Sequence, residues 1–191
     1  MKNLISSFIC LFLIIGISSS TFGADKAFTL EDQNGNAINL NDYNDKIVVL
    51  EWTNPDCPFV KRHYKEKTMV ELADNYKGKE VVWFAVNSTH YMDNSDNKQW
   101  ADKHNITYPI LNDNSGEIGK KFGAKTTPHM YIINKSEGLV YEGGIDDDPQ
   151  GSNSPGQRTN YVDLALLNLS SGQAVEISES KPYGCSVKYK N

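Results

Sequence analysis

The chain opens on a nearly unbroken apolar run, Leu4 to Ile17, and after it apolar residues come only in short blocks between polar stretches. Phe28-Thr29-Leu30 and Ala37-Ile38-Asn39-Leu40 flank Asn34-Gly35-Asn36, which predicts a small hairpin, since Asn-Gly suits a tight primed turn. Ile47-Val48-Val49-Leu50, inside 46–53, predicts a buried strand, and Val81 to Val86, inside 80–87, predicts a second. Between them Pro58 to Tyr76 predicts one helix. Proline fits its first position, Met69, Leu72, Ala73 and Tyr76 share a face, and Gly78 can end it. Ser95 to His104 predicts the next helix with Ser95 as its cap. An extended Tyr108-Pro109-Ile110-Leu111 and a short helix from Gly116 to Phe122 follow.

His129 to Ile133 and Leu139 to Glu142 predict two strands joined by a polar turn over 134–138. Asp146 to Gln157 reads as a solvated polar loop. Thr159 to Ser170 predicts a last helix with Val162, Ala165, Leu166 and Leu169 on one side. Alternating strands and helices in the first half require parallel pairing, and the later strand pair supplies an antiparallel half. The predicted fold class is α/β. It is a mixed central sheet, βαβ and then ββα, with helices on both faces and an N-terminal β-hairpin.

The opening run changes the domain picture. Met1-Lys2-Asn3 is a basic start, Leu4 to Ile17 an apolar core, and Ser18 to Ala24 a small, polar tail. That order predicts a signal peptide over 1–23, cleaved near Gly23 or Ala24, and export to the periplasm or beyond. Cys10 sits inside the apolar run after Phe8-Ile9, which does not suit a lipid-modified cysteine. Residues 24–191 then form one domain with a C-terminal extension. Losing Lys2 moves the formal charge from -5 to about -6. This mildly acidic balance argues against nucleic acid or an anionic membrane as a partner, so membrane contact is expected only during export.

Two cysteines, Cys57 and Cys185, remain in the mature chain, and export places them where disulfides persist. They could be a structural staple, a catalytic pair or two separate thiols. Cys57 follows a predicted strand and precedes Pro58, so it caps the first long helix. Unpaired N–H groups there favour a thiolate. Lys61 and Arg62, one turn on, would act in the same direction, and Asp56 against it. Thr126-Thr127-Pro128-His129 precedes the strand from Met130, and a proline at a strand's start needs a structural reason, a cis peptide being one.

A strand ending in Cys57-Pro58, followed much later by Gly123 to Pro128, resembles the thioredoxin superfamily. Asp56-Cys57-Pro58-Phe59-Val60-Lys61, Asn87-Ser88, Tyr141 to Asp146 and the tail Lys181 to Lys188 are more specific. They resemble a bacterial peroxiredoxin-like, redoxin-domain subgroup related to the alkyl hydroperoxide reductase and thiol-specific antioxidant class. The resemblance implies an attacking cysteine at Cys57 beside a cis-proline at Pro128, with Thr127 offering backbone to a bound peptide. It also implies a proton-exchanging buried acid at Glu51. The apolar neighbours Leu50 and Trp52 agree with burial of that acid, and a buried carboxyl titrates higher.

Two departures shape the expected chemistry. A thioredoxin carries a second cysteine three residues on, where this chain has Val60, so Cys185 or an outside thiol must complete a cycle. A peroxiredoxin's Pro-x-x-x-Thr-x-x-Cys would place proline and threonine where Leu50 and Asn54 stand, and the only arginines are Arg62 and Arg158. The expectation is therefore an exported thiol–disulfide oxidoreductase. Cys57 is its nucleophile, Glu51 its proton acceptor, Cys185 a candidate resolving thiol, and Thr127 and Pro128 line its groove. It acts on protein or small-molecule thiols and disulfides, with peroxides as a secondary class, and needs no cofactor or metal. The alternatives are a binding module without turnover and a disulfide-stapled domain. His129, next to Pro128, is a minor candidate base or metal ligand. His63, His90 and His104 read as surface or helix residues, and Trp52, Trp83 and Trp100 as packing. Asp146-Asp147-Asp148 lacks the spacing of an EF-hand loop.

Overall fold

The computed structural model describes residues 26–190. The predicted signal peptide and its cleavage site lie outside the described residues. Strands β1 (Thr29–Glu31) and β2 (Ala37–Asn39) form the N-terminal hairpin. Its loop runs from Asp32 to Asn36 and is not a two-residue turn. The Asp32 carboxylate accepts from the N–H groups of Asn34 and Asn36, and Gly35 takes the positive φ that closes it.

β3 (Ile47–Trp52) is an inner strand of the sheet. It pairs in parallel with β4 (Val81–Asn87), and β4 pairs in parallel with β5 (Ile110–Asn112). On its other side β3 runs antiparallel to β7 (His129–Asn134), which turns into β8 (Gly138–Gly143). The seven-stranded order is β2-β1-β5-β4-β3-β7-β8. β6 (Thr126–Thr127) stands outside this sheet and pairs with β9 (Cys185–Ser186).

The predicted helix from Pro58 to Tyr76 is two helices, α1 (Pro58–Lys65) and α2 (Thr68–Tyr76). Lys67 adopts a left-handed conformation between them. The break sits where the Glu66 carboxylate is held 2.8 Å from Arg158 Nη1, an anchor that periodicity does not register. α3 (Asn94–His104) is capped by Asp93 in place of Ser95. Asp93 accepts from Ser95 N and Asp96 N, and Asp96 returns a bond to Asp93 N. α4 (Glu117–Phe122) and α5 (Tyr161–Ser170) complete the fold.

β3 alternates between two cores. Val49 faces one with Val60, Tyr64, Met69, Trp100 and Leu166, so α1, α2, α3 and α5 all cover that side. Val48, Leu50 and Trp52 face the other, with Ile118 and Phe122 of α4, Phe28 and the tail residue Val187. The steps from β3 to β4 and from β4 to β5 run in one direction, and crossovers of one hand then place their helices on one face, where α1, α2 and α3 share a core.

The Asp146–Gln157 segment departs from the solvated loop predicted for it. Asp146 and Asp148 are buried around Arg158, whose Nη1 lies 3.5 Å from Asp146 and Nε 3.4 Å from Asp148. Buried carboxylates of this kind persist only when paired. Among the described residues no helix is long and apolar enough to cross a membrane.

Candidate active site

The chain leaves β3 through a turn built by Asn54. Its side chain accepts from Asp56 N at 2.8 Å, and its carbonyl accepts from Cys57 N at 3.0 Å. Cys57 is the N-cap of α1, with Pro58 in the first helical position. The cysteine is nevertheless closed over, at 1% exposure. As a thiol it donates to the carbonyl of Thr127 at 3.0 Å, and the Thr127–Pro128 peptide bond beside it is cis.

What closes Cys57 is the chain's own tail. Residues 178–189 cross the surface as a strap pinned along its length. At one end Glu142 N donates to Ser178 O and Ser180 N donates to Glu142 O. In the middle Cys185 pairs with Thr127 and Ser186 with Thr126. Val187 N then donates to Lys125 O, His90 N to Lys188 O, and the Tyr189 hydroxyl to Ala124 O. Gly184 is required at the crossing, because a Cβ there would run into the Thr127 carbonyl. The backbone edge of Thr127, expected to meet a bound peptide, is thus occupied by Cys185-Ser186.

Cys185 reaches Cys57 from this strand, and the two free thiols are within hydrogen-bonding reach. Burial raises the Cys57 pKa. Hydrogen bonds from the Cys185 thiol, Val60 N–H, the Thr127 side chain and Cys185 N–H outweigh it and hold the thiol below its ordinary value. Cys185 moves the other way. Burial and its bond to the Cys57 sulfur push it up to about 11, against a small opposing effect of Lys188. The bond between the two sulfurs thus favours negative charge on Cys57 and the proton on Cys185.

Lys61 and Arg62 do not supply the cation expected beside Cys57. Lys61 faces Asp56 on the surface at 4.0 Å. Arg62 turns to the carbonyls of Asp148 and Pro149 and donates to the Tyr183 hydroxyl at 3.3 Å. His63, expected as a surface or helix residue, lies in α1 and is fully buried, and its Nε2 lies 3.0 Å from the same hydroxyl. Burial, then the neighbouring Arg62 charge, lower its pKa to about 3, so His63 is neutral. Tyr183 also donates to Asp146, and its ring packs 6.1 Å from Phe59. This cluster holds the strap two residues before Cys185. Sequence reading missed it; the one available signal was Tyr183-Gly184-Cys185 itself, a glycine placed for close backbone approach.

Glu51 is fully buried on the same face as Cys57 and α1. Tyr64 donates to it at 2.8 Å, Trp83 Nε1 at 3.1 Å and Tyr108 at 3.4 Å. Desolvation dominates these bonds and raises its pKa to about 7. Its hydrogen-bond partners are these aromatic groups, with neither thiol among them. Trp83 is therefore more than packing. His129 lies on the other side of the sheet from Cys57, between Lys125 N and the Tyr131 hydroxyl. Burial and Lys125 lower its pKa to about 4, which removes it as a base beside Cys57. Among the described residues no group of three or more His, Cys, Asp or Glu side chains could hold a metal ion.

Comparison with known proteins agrees with this architecture. A conserved protein of Geobacillus kaustophilus superposes with a TM-score of 0.77 at 30% identity, over 90% of this chain and 93% of that one. A secreted disulfide oxidoreductase of Mycobacterium tuberculosis shares the fold alone, with a TM-score of 0.54 at 19% identity over 60% of this chain and 81% of that one. The thiol-disulfide oxidoreductase ResA of Halalkalibacterium halodurans is 27% identical over 120 residues, 62% of this chain. The match spans 66% of ResA, just under two thirds of its length. The AhpC/TSA family profile matches residues 24–142, from the N-terminal hairpin through β8. With a thioredoxin-like fold and a family match over more than half its length, the chain belongs to the AhpC/TSA family.

Proposed function

We propose that this protein is an exported thiol–disulfide oxidoreductase in which Cys57 and Cys185 form the redox pair. The observation that carries the reading is the pairing of Cys185 with Thr127. It brings a second thiol to the lone cysteine at the helix start, where Val60 replaces the usual local partner. Cys57 is the low-pKa thiolate, and Cys185 gives up its proton as the disulfide forms. Glu51, titrating near neutrality on the same face, takes up a proton as negative charge moves between sulfur and solvent. Thr127 and Pro128 shape the groove in which the sulfurs meet. Thiols and disulfides are the substrates, and sulfur carries the electrons without a cofactor. Asn54 is committed to the turn that delivers Cys57 and lacks a hydroxyl, which favours thiol exchange over peroxide reduction. Export rests on the N-terminal sequence.

The test is a redox titration of the mature protein in dithiothreitol buffers, read by alkylation and intact mass. A Cys57–Cys185 disulfide that opens and closes above about -300 mV fits an exchanging pair. A bridge that stays closed below that potential would identify a structural staple. Failure to form any bridge would leave a binding module.

A further inference from the structure

We propose that outside thiols meet this redox pair at Cys185 and not at Cys57. An external thiolate attacks the Cys185 sulfur of the Cys57–Cys185 disulfide, and Cys57 departs as the thiolate. This rests on the pair being redox-active, as argued above.

Access decides first. Cys57 lies beneath the strap at 1% exposure, whereas Cys185 is only half-buried and is followed by the exposed Ser186. A thiolate attacking a disulfide must approach the chosen sulfur in line with the bond, so the covered sulfur is disfavoured whatever its chemistry. Uncovering Cys57 would require breaking the Thr126–Ser186 and Thr127–Cys185 pairing, the Val187 and Tyr189 anchors and the Tyr183 cluster together. Attack at Cys185 breaks none of them.

Leaving-group chemistry points the same way. The sulfur of lower pKa leaves faster. The hydrogen bonds to Cys57 from Val60 N–H, the Thr127 side chain and Cys185 N–H need no Cys185 proton and so still favour negative charge on Cys57 when the disulfide opens, while burial disfavours it on Cys185. After attack, Cys57 remains as a thiolate held by Val60 N–H and the Thr127 side chain. The electrons balance over two steps. The first thiolate forms a mixed disulfide with Cys185 and releases the Cys57 thiolate. A second outside thiolate attacks the outside sulfur of that mixed disulfide and releases Cys185, which takes up a proton. Two thiols become one disulfide, and the protein gains two electrons.

The strap also narrows the partner. The edge of Thr126-Thr127 is already paired, so an incoming thiol has no free strand edge to extend there. The donor presents its sulfur without adding a strand, which suits a small thiol or a flexible cysteine-bearing end. Cys185 lies beyond the family-matched region 24–142, so this assignment belongs to the extension.

The experiment uses the mature protein oxidised with diamide and its intramolecular disulfide verified by mass. Mixing with excess glutathione, acid quench, alkylation with N-ethylmaleimide and peptide mapping locate the mixed disulfide. Glutathione on Cys185 with Cys57 alkylated should exceed the reverse adduct by about tenfold or more. Tyr183→Ala, which loosens the strap, should move adduct toward Cys57. Adduct on Cys57 at a comparable or higher level, or reduction with no adduct on Cys185, overturns the proposal. An unchanged distribution in Tyr183→Ala overturns the strap as its cause. Absence of any intramolecular disulfide before glutathione is added would instead refute the redox pair.

Discussion

Glu51 should leave a signature in stability that no surface carboxylate can imitate. Burial raises its pKa, the bonds from Tyr64, Trp83 and Tyr108 lower it, and the balance lies at about 7 against an ordinary 4.5. The folded state therefore keeps this proton to higher pH than the unfolded chain does. Below the unfolded value both states are protonated and Glu51 contributes no penalty. Between 4.5 and about 7 the unfolded chain ionises first, and folding becomes progressively less favourable. Above that window the full penalty of ~3 kcal/mol is present. Glu51→Gln removes the titration and keeps the shape, and an amide oxygen still accepts from Tyr64 or Trp83. Urea unfolding of both proteins from about pH 4 to about pH 8 isolates the effect, because every other titrating group is shared and cancels in the difference. The wild type should lose ~3 kcal/mol relative to the variant across that range. Parallel stability curves would show that Glu51 titrates in the folded state at its ordinary value, and would remove it as a proton acceptor working near neutrality.

Three further outcomes follow from the site and its frame. Cys185→Ala removes the first of the hydrogen bonds that lower the Cys57 pKa. The midpoint of pH-dependent alkylation at Cys57 should rise by about one pH unit, and an unchanged midpoint would contradict that assignment. Gly184→Ala places a Cβ against the Thr127 carbonyl, at a position whose φ is already +129°. Diamide oxidation to the intramolecular disulfide should slow by about tenfold or more as Cys185 is displaced, which quenched-flow alkylation would measure. Asp93→Ala removes the capping box of α3 and should cost about 1 kcal/mol in urea unfolding without altering cysteine reactivity.

The frame was legible wherever a local pattern had a local cause. The apolar runs of β3, of β4 and after Pro128 gave their strands to within about two residues. Cys57-Pro58 marked the start of α1 because a helix start has its own chemistry. Failures arose where distant residues intervened. The helix from Pro58 to Tyr76 breaks where Glu66 meets Arg158, more than ninety positions away in the chain. Asp146-Asp147-Asp148 looked solvated because composition cannot show that Arg158 returns to neutralise two of its members. His63 read as a surface or helix residue, and its burial within α1, against Tyr183 of the tail, is likewise set by a distant segment.

The site divides along the same line. Cys57 could be named because a helix start has its own chemistry, and Glu51 because the family resemblance implies a buried acid at that point of the strand before it. Cys185 could be named but not placed, since no periodicity links a two-residue strand to Thr127 across the fold. Its placement also reverses the source of the thiolate. The sequence suggested that Lys61 and Arg62 would stabilise Cys57. In the folded chain Lys61 stays on the surface, Arg62 is taken up in fastening Tyr183, and the second cysteine stabilises the first. A cation would lower the Cys57 pKa in every redox state. A partner thiol does so only while both cysteines are reduced, and that bond disappears when the disulfide forms. Thiolate stability is thereby tied to the reduced state of the pair, so weakening the Cys185 hydrogen bond should favour the oxidised protein, provided the strap still holds Cys185 in place.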